Sequence, residues 1–428
     1  MNQQTGQQIR QRTHERAPQE THKQTIPMLD LYAEQFLADG PDSIKGRRGR
    51  LFIEICRPGR VTRKQLAADF AIRPGTVSRL VLDLIEAGLV EEKRPPASHQ
   101  KGRPEILLQP VLDRLGVIVF FVVSQSIHAT LVDLGGNELC RQVRNVQADN
   151  ITTREVEEII LGMALQIQSR APRRTEIVGL SFSLPGVVDE TRNLWVIATS
   201  RWPRVNNLDI SVLARQLGLR TIVNKHLNCE LRARIARRGE PENTNILSIH
   251  WGHGIGSSFS MNGTTLVSGN GGFGEIGHVQ VHCQPETRCM CGLANCLETQ
   301  AALWALLPAI RARYPQVPED EWQFEAFLKE TEDFDMNLLD NAIGHMARAM
   351  RTLTLLLSPD QIVLTGPFVQ RTDIFETLCR RFRDVLPSDS NVFSRQSVTV
   401  VAARAGTEDE IVGAAYPLFA DAIARICN

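Results

Sequence analysis

Glu275-Ile276-Gly277-His278 is followed, eleven residues after its histidine, by Cys289-Met290-Cys291-Gly292 and then by Cys296-Leu297-Glu298. One imidazole and three thiols at this spacing can close a tetrahedral zinc site, the usual geometry of a buried structural metal. The predicted ligands are His278, Cys289, Cys291 and Cys296, with His282 and Cys283 close enough in the chain to substitute for one of them. Two carboxylates, Glu275 and Glu298, bracket the site. A metal pinning this loop would hold polar side chains ready to grip a small polyol, whose dense hydroxyls need both donors and acceptors.

The 428 residues around this loop predict two or three domains. An apolar share of 43% and a charged share of 22% are those of a soluble globular chain, not of a disordered or membrane-embedded one. No apolar run reaches the roughly 18 residues of a membrane span, and the first residues lack an apolar signal core. Nine cysteines, three of them within eight positions, predict metal ligation in a reducing cytoplasm rather than a disulfide framework. Net charge is zero, yet residues 1–104 hold six more basic than acidic groups. That asymmetry points to an anionic polymer as partner of the front end.

Residues 1–44 read as a tail, rich in Gln, Arg, Thr and Glu up to about residue 25 and disordered by composition, with a short helical pattern from Met28 to Phe36. From Lys45 to Pro110 the pattern is a winged helix-turn-helix. Leu51, Phe52, Ile55 and Cys56 line a first helix; Thr62 caps a second carrying Leu66, Ala67 and Phe70. A turn over residues 71–75 precedes a third helix, Thr76 to Ala87, ended by Gly88. Strands at Leu89-Val90 and Ile106 to Leu108 frame a charged wing. Arg73, Thr76, Ser78 and Arg79 stand at the exposed start of the third helix, where a recognition helix meets base edges and phosphates. Lys101 and Arg103 give the wing a basic tip suited to a minor groove. Double-stranded DNA is the expected partner.

After Pro110, strand and helix signals alternate: strands at Gly116 to Val123, Ala129 to Asp133 and Ile177 to Phe182, then helices at Arg154 to Ser169 and Leu208 to Leu217. A strand at Thr221 to Asn224 leads into a helix at Leu227 to Ala236, and the second half repeats the grammar. Such alternation predicts an α/β fold with ligands held between two lobes. Leu184-Pro185-Gly186, the Gly252-His253-Gly254-Ile255-Gly256 turn, Glu275-Ile276-Gly277-His278 and the cysteine run together resemble the ROK family, and within it the sugar repressors of the N-acetylglucosamine and xylose type. Asn295 departs from the family pattern, which usually has glycine there. The resemblance implies a two-lobed, actin-like and ribonuclease H-like sugar-kinase fold behind the DNA-binding head. Residues 111–226 form the first lobe and 227–428 the second, with the C-terminal helix returning toward the first.

The family includes both kinases and repressors, and the resemblance supplies the tests that separate them. A kinase of this type needs an acidic, glycine-containing phosphate turn on its first hairpin. Here Phe120-Phe121-Val122-Val123-Ser124-Gln125 has neither the glycine nor the carboxylate. The family's general base lies in an Asn-Asp pair, and Lys225-His226 occupies those positions. The Gly252 to Gly256 turn survives, either as a phosphate loop or as a plain hairpin turn. By resemblance, Glu275, His278 and Glu298 contact the sugar, Lys225 and His226 join the effector site, and Arg201-Trp202 with Asn206-Asn207 form its first-lobe wall. Lys225 also hints at an anionic ligand, such as a sugar phosphate or acid. The expectation is a homodimeric or homotetrameric transcriptional repressor of sugar genes without enzymatic activity. The alternatives are a sugar kinase with an appended DNA-binding domain, or a scaffold answering to a protein partner.

Overall fold

Helical apolar spacing and continuous apolar runs alternate along this chain. The computed structural model describes residues 44–57, 59, 61–94, 106–198, 201–238, 244–283, 285–386, 398–404 and 407–426. The expected tail, its Met28 to Phe36 helix, and the wing residues Lys101 and Arg103 lie outside the described residues.

At the front, α1 (Ile44–Cys56), α2 (Arg63–Asp69) and α3 (Pro74–Glu86) precede an antiparallel pair, β1 (Val90–Lys93) and β2 (Leu107–Pro110). The Thr62 hydroxyl accepts the Gln65 N–H at 3.2 Å and caps α2. α3 starts at Pro74, earlier than the expected Thr76, because proline's fixed φ suits the first helical position. Val77, Leu80, Val81 and Leu84 are buried, whereas Arg73, Thr76 and Arg79 are exposed and Ser78 is half-buried. Arg48 ties α1 to α3 through Asp83 at 2.5 Å.

The next segment builds a five-stranded sheet from β3 (Leu115–Val123), β4 (Ser126–Asp133), β5 (Glu138–Asn145), β6 (Glu176–Leu184) and β10 (Thr221–Lys225), in the order β10-β6-β3-β4-β5. α4 (Thr153–Arg170) crosses it, held at its start by a capping box of Thr152 and Glu155. A small sheet of β7 (Val187–Asp189), β8 (Leu194–Ile197) and β9 (Asn206–Asp209) sits beside it. The helix expected from Leu208 starts only with α5 (Ser211–Leu217). Asn206 to Asp209 pair with β8, and Asp209 Oδ1 accepts the Ser211 N–H at 2.9 Å, so a local turn delays the helix.

α6 (His226–Arg238) leads into a second sheet of β11 (Ile246–Trp251), β12 (Ile255–Met261), β13 (Thr264–Thr265), β14 (Gln361–Thr365) and β15 (Thr399–Ala402). Its order, β13-β12-β11-β14-β15, repeats the first: an antiparallel meander followed by two parallel strands. The helices α7 (Leu297–Ala301), α8 (Leu303–Arg313), α9 (Glu321–Glu330), α10 (Asp340–Leu357) and α11 (Thr372–Val385) belong to this half. α12 (Thr407–Ile426) returns to the first sheet, packing on β3, β6 and α6. Its approach to α6 is close: a Cβ on Gly413 would meet the Cys229 carbonyl oxygen at 1.9 Å. One apolar core runs from Leu51 and Phe52 of α1 through Val117 and Phe121 of β3 to Leu418 and Phe419 of α12. Among the described residues no helix is long and apolar enough to cross a membrane.

Candidate functional site

Glu275 opens a single 3-10 turn, Ile276–His278, and Glu298 lies in the first turn of α7. Gly277 lets these two segments touch, since a Cβ there would stand 2.5 Å from the Ile255 carbonyl oxygen and 2.6 Å from Glu298 Cγ. Glu298 Oε1 accepts the Ile255 N–H at 3.0 Å, and its Oε2 accepts the Trp304 indole N–H at 3.3 Å. Neutral donors therefore hold this carboxylate in place at the rim of a cavity of about 540 Å³ between the two sheets. All five expected effector residues, Lys225, His226, Glu275, His278 and Glu298, line that one cavity.

Lys225 does not leave a free positive charge in it. Its Nζ donates to Glu275 Oε1 at 2.5 Å and to the Phe273 carbonyl at 3.0 Å, with the lysine 5% exposed. The charge behind the expectation of an anionic ligand is thus already matched. Burial, then the His250 ring, then the Lys225 ammonium press the His226 pKa down to about 3. An imidazole so reluctant to take a proton is a poor general base at neutral pH.

Sequence reasoning missed a second polar group on the cavity floor. His250 of β11 faces Glu321 of α9 at 3.2 Å and the Thr365 hydroxyl at 3.2 Å. Burial alone would lower the His250 pKa, but the Glu321 carboxylate outweighs it and raises it. Glu321 is held near 2 against the upward push of burial, by His250 first, by the N–H of His253 and by Arg201. Glu230 and Glu410 also line the floor, and burial lifts them to about 7 and about 8. Glu230 was legible as the residue one helical turn after His226; Glu321 and Glu410 arrive from distant helices and carry no local signal.

The first-hairpin turn is Ser124-Gln125, with Ser124 at φ 51° where a glycine would be unstrained. Protein groups occupy it. The Trp202 indole N–H donates to the Ser124 carbonyl at 3.0 Å, and Arg201 donates to the Ser124 hydroxyl at 3.3 Å. The same guanidinium reaches His253 Nδ1 at 2.9 Å and the Glu319 carbonyl at 2.8 Å, so it bridges the two lobes. Trp202 is a buried core tryptophan against Trp195 as well as an edge of the cavity. Asn206 lines the cavity; Asn207 is not among its lining residues. The Gly252-His253-Gly254 turn is the hairpin between β11 and β12, and Glu321 and Glu298 already accept its His253 and Ile255 N–H groups.

The ligand atoms of His278, Cys289, Cys291 and Cys296 all lie within 4.8 Å of one another. His278 Nδ1 is 3.6 Å from Cys289 Sγ, and Cys291 Sγ is 3.6 Å from Cys296 Sγ. Bonds of about 2.3 Å to sulfur and 2.0 Å to nitrogen give tetrahedral edges of about 3.4–3.8 Å, so the donor set fits zinc. His282 and Cys283 are not part of this cluster. Asn295 keeps the loop's shape in place of glycine. It adopts φ 57°, which asparagine tolerates, and its Oδ1 accepts the Thr287 N–H at 2.9 Å.

The ROK family pattern matches residues 124–421 of the chain. The DNA-binding transcriptional dual regulator NagC of Escherichia coli (strain K12) is 25% identical over 327 residues, covering 73% of this chain and 78% of that one. A solved ROK family transcriptional regulator, described as a homologue of the E. coli Mlc protein, superposes with a TM-score of 0.67 at 19% identity over 94% of this chain and 98% of its own. The ROK hexokinase of Thermus thermophilus has a TM-score of 0.55 at 21% identity over 72% of this chain and 99% of its own. Repressors and kinases of one fold thus flank this sequence, and with most of its length inside the family pattern, the chain belongs to the ROK family.

Proposed function

We propose that this chain is a cytoplasmic DNA-binding transcriptional repressor of sugar metabolism or transport genes, controlled by a carbohydrate-type effector held between its lobes. Residues 45–110 act as a winged helix-turn-helix, with Arg73, Thr76, Ser78 and Arg79 on the duplex from α3 and Lys101 and Arg103 from the wing. A homodimer or homotetramer would set two such heads on a palindromic site. Glu275, His278 and Glu298 clamp the effector, and a structural zinc on His278, Cys289, Cys291 and Cys296 braces the clamp.

The observation that carries the choice of regulator over kinase is that the Asn-Asp positions hold Lys225, already paired with Glu275, and His226, a poor proton acceptor. The turn at Ser124 supports it, since it lacks the glycine and carboxylate of a phosphate turn and its carbonyl and hydroxyl are engaged by Trp202 and Arg201. Effector binding would rotate the lobes, and α12, shared between the first sheet and α1, offers the mechanical path to the head. An effector shifts this equilibrium only by as much as it prefers one arrangement over the other.

Two assays on the zinc-loaded full chain decide the matter. Incubation with ATP, magnesium and a hexose panel yields no sugar phosphate, while gel shifts on the promoter regions beside its own gene yield a complex dissolved by an effector. Phosphate transfer above background would refute the regulator reading in favour of a kinase.

A further inference from the structure

Beneath the clamp of Glu275, His278 and Glu298, the cavity floor carries polar groups with unmet hydrogen-bonding capacity. His226 and Glu230 are four residues apart on α6, so both side chains lie on one helix face. Among the described residues, His226 Nδ1 and Glu230 Oε2 are buried atoms with no hydrogen-bond partner. Glu230 itself is 5% exposed, and both residues line the cavity. The Leu184 carbonyl faces the other ring nitrogen of His226 and makes that one the N–H, leaving Nδ1 a bare lone pair. Nδ1 is thus an acceptor, and Glu230 Oε2 is one whenever the carboxyl is ionised; leaving a buried acceptor without a donor is costly.

The surrounding charges select the donor. Glu230, Glu321 and Glu410 all face this floor. His250 answers Glu321 directly, and Arg234 is engaged by Asp409 at 3.7 Å and by the Arg404 carbonyl, with its Nε unpartnered among the described residues. Both cations act on Glu230 from a distance without a hydrogen bond to it. Glu410 accepts the Ser183 hydroxyl at 2.7 Å. A phosphate or carboxylate would meet three carboxyl groups here. A metal ion would need a shell, and among the described residues the His278 and cysteine cluster is the only group of three or more ligand atoms within 4.8 Å.

We infer that the floor is an amine subsite: the cavity takes a polyhydroxylated ligand whose protonated primary amine donates to Glu230 and to His226 Nδ1. The inference rests on the carbohydrate reading of the clamp above it, and it turns the preference away from sugar phosphates and sugar acids. Burial lifts Glu230 to about 7, and an ammonium beside it would favour the ionised form.

Calorimetric titration of the zinc-loaded full chain with free-amine, N-acetylated and unsubstituted hexoses of gluco, galacto and manno configuration tests this at pH 6.5. The best amino hexose binds about tenfold or more tighter than its unsubstituted and N-acetylated counterparts, and in Glu230→Gln that ratio falls to about one. Equal affinities, a preference for the neutral or 6-phosphorylated sugar, or a ratio that survives Glu230→Gln each overturn the inference alone. Silence from every hexose, in protein shown to be folded by circular dichroism, overturns the clamp and the subsite together.

Discussion

Lys225 and Glu275 form a nearly buried ion pair beside His226, with side chains 6% and 24% exposed. Removing one partner strands the other's charge, so Lys225→Met destabilises the fold by about 2–4 kcal/mol. Lys225→Met combined with Glu275→Gln recovers most of that loss, because no charge remains to be stranded. A double-mutant cycle from urea midpoints checks the pair, and additive losses would deny that the two interact. Cys296 is the fully buried member of the His278 and cysteine cluster. Cys296→Ser should weaken zinc retention by well over about tenfold, measured as zinc per chain after dialysis against a chelator. One zinc per chain surviving in that variant would place the metal elsewhere.

Among the elements, α12 has the most to lose from a single change. Gly413 is the point where its backbone meets the Cys229 carbonyl, and any side chain there must push α12 away from α6. Gly413→Ala is expected to cost about 1–3 kcal/mol, and Gly413→Val more, read from thermal unfolding. Unchanged melting in both would mean that the two helices are not in contact. The same helix carries Glu410, whose pKa burial lifts from 4.5 to about 8. A carboxyl raised on folding lends its stability below about pH 4.5 and loses it as the pH climbs through about 8. Glu410→Gln keeps a neutral group there at every pH. Its stability relative to the parent chain should therefore improve by about 4 kcal/mol between pH 5 and pH 9. A difference that stays constant across this range would show that Glu410 titrates normally.

At the scale of the whole molecule, one apolar core joins α1 to β3 and α12, so the front helices are not an independent bead on a string. Any movement of the lobes would be transmitted through packed side chains, since interiors at crystal-like density do not absorb strain silently. In the regulator proposed above, the exposed start of α3 is where that movement would meet DNA. Arg79→Ala should lower operator affinity by about 1–3 kcal/mol. If Arg79 contacts phosphate, it should also shallow the salt dependence by about one unit of slope. Gel shifts across a salt series measure both, and an unaltered affinity would remove α3 from the interface.

Local chemistry determined much of this protein without help from the fold. Capping at Thr62, the helical apolar faces, the spacing of one histidine and three cysteines, and the missing glycine at Ser124 are all properties of neighbouring residues. Boundaries that depend on a partner strand were less legible, as at Asn206 to Asp209, where pairing with β8 displaced an expected helix. Tertiary structure alone decided the electrostatics of the cavity. Lys225 finds Glu275 across fifty positions, and His250 finds Glu321 across seventy-one. A charge on the page of a sequence has no sign of its surroundings, because the field at a buried site is summed over groups that only folding brings within reach.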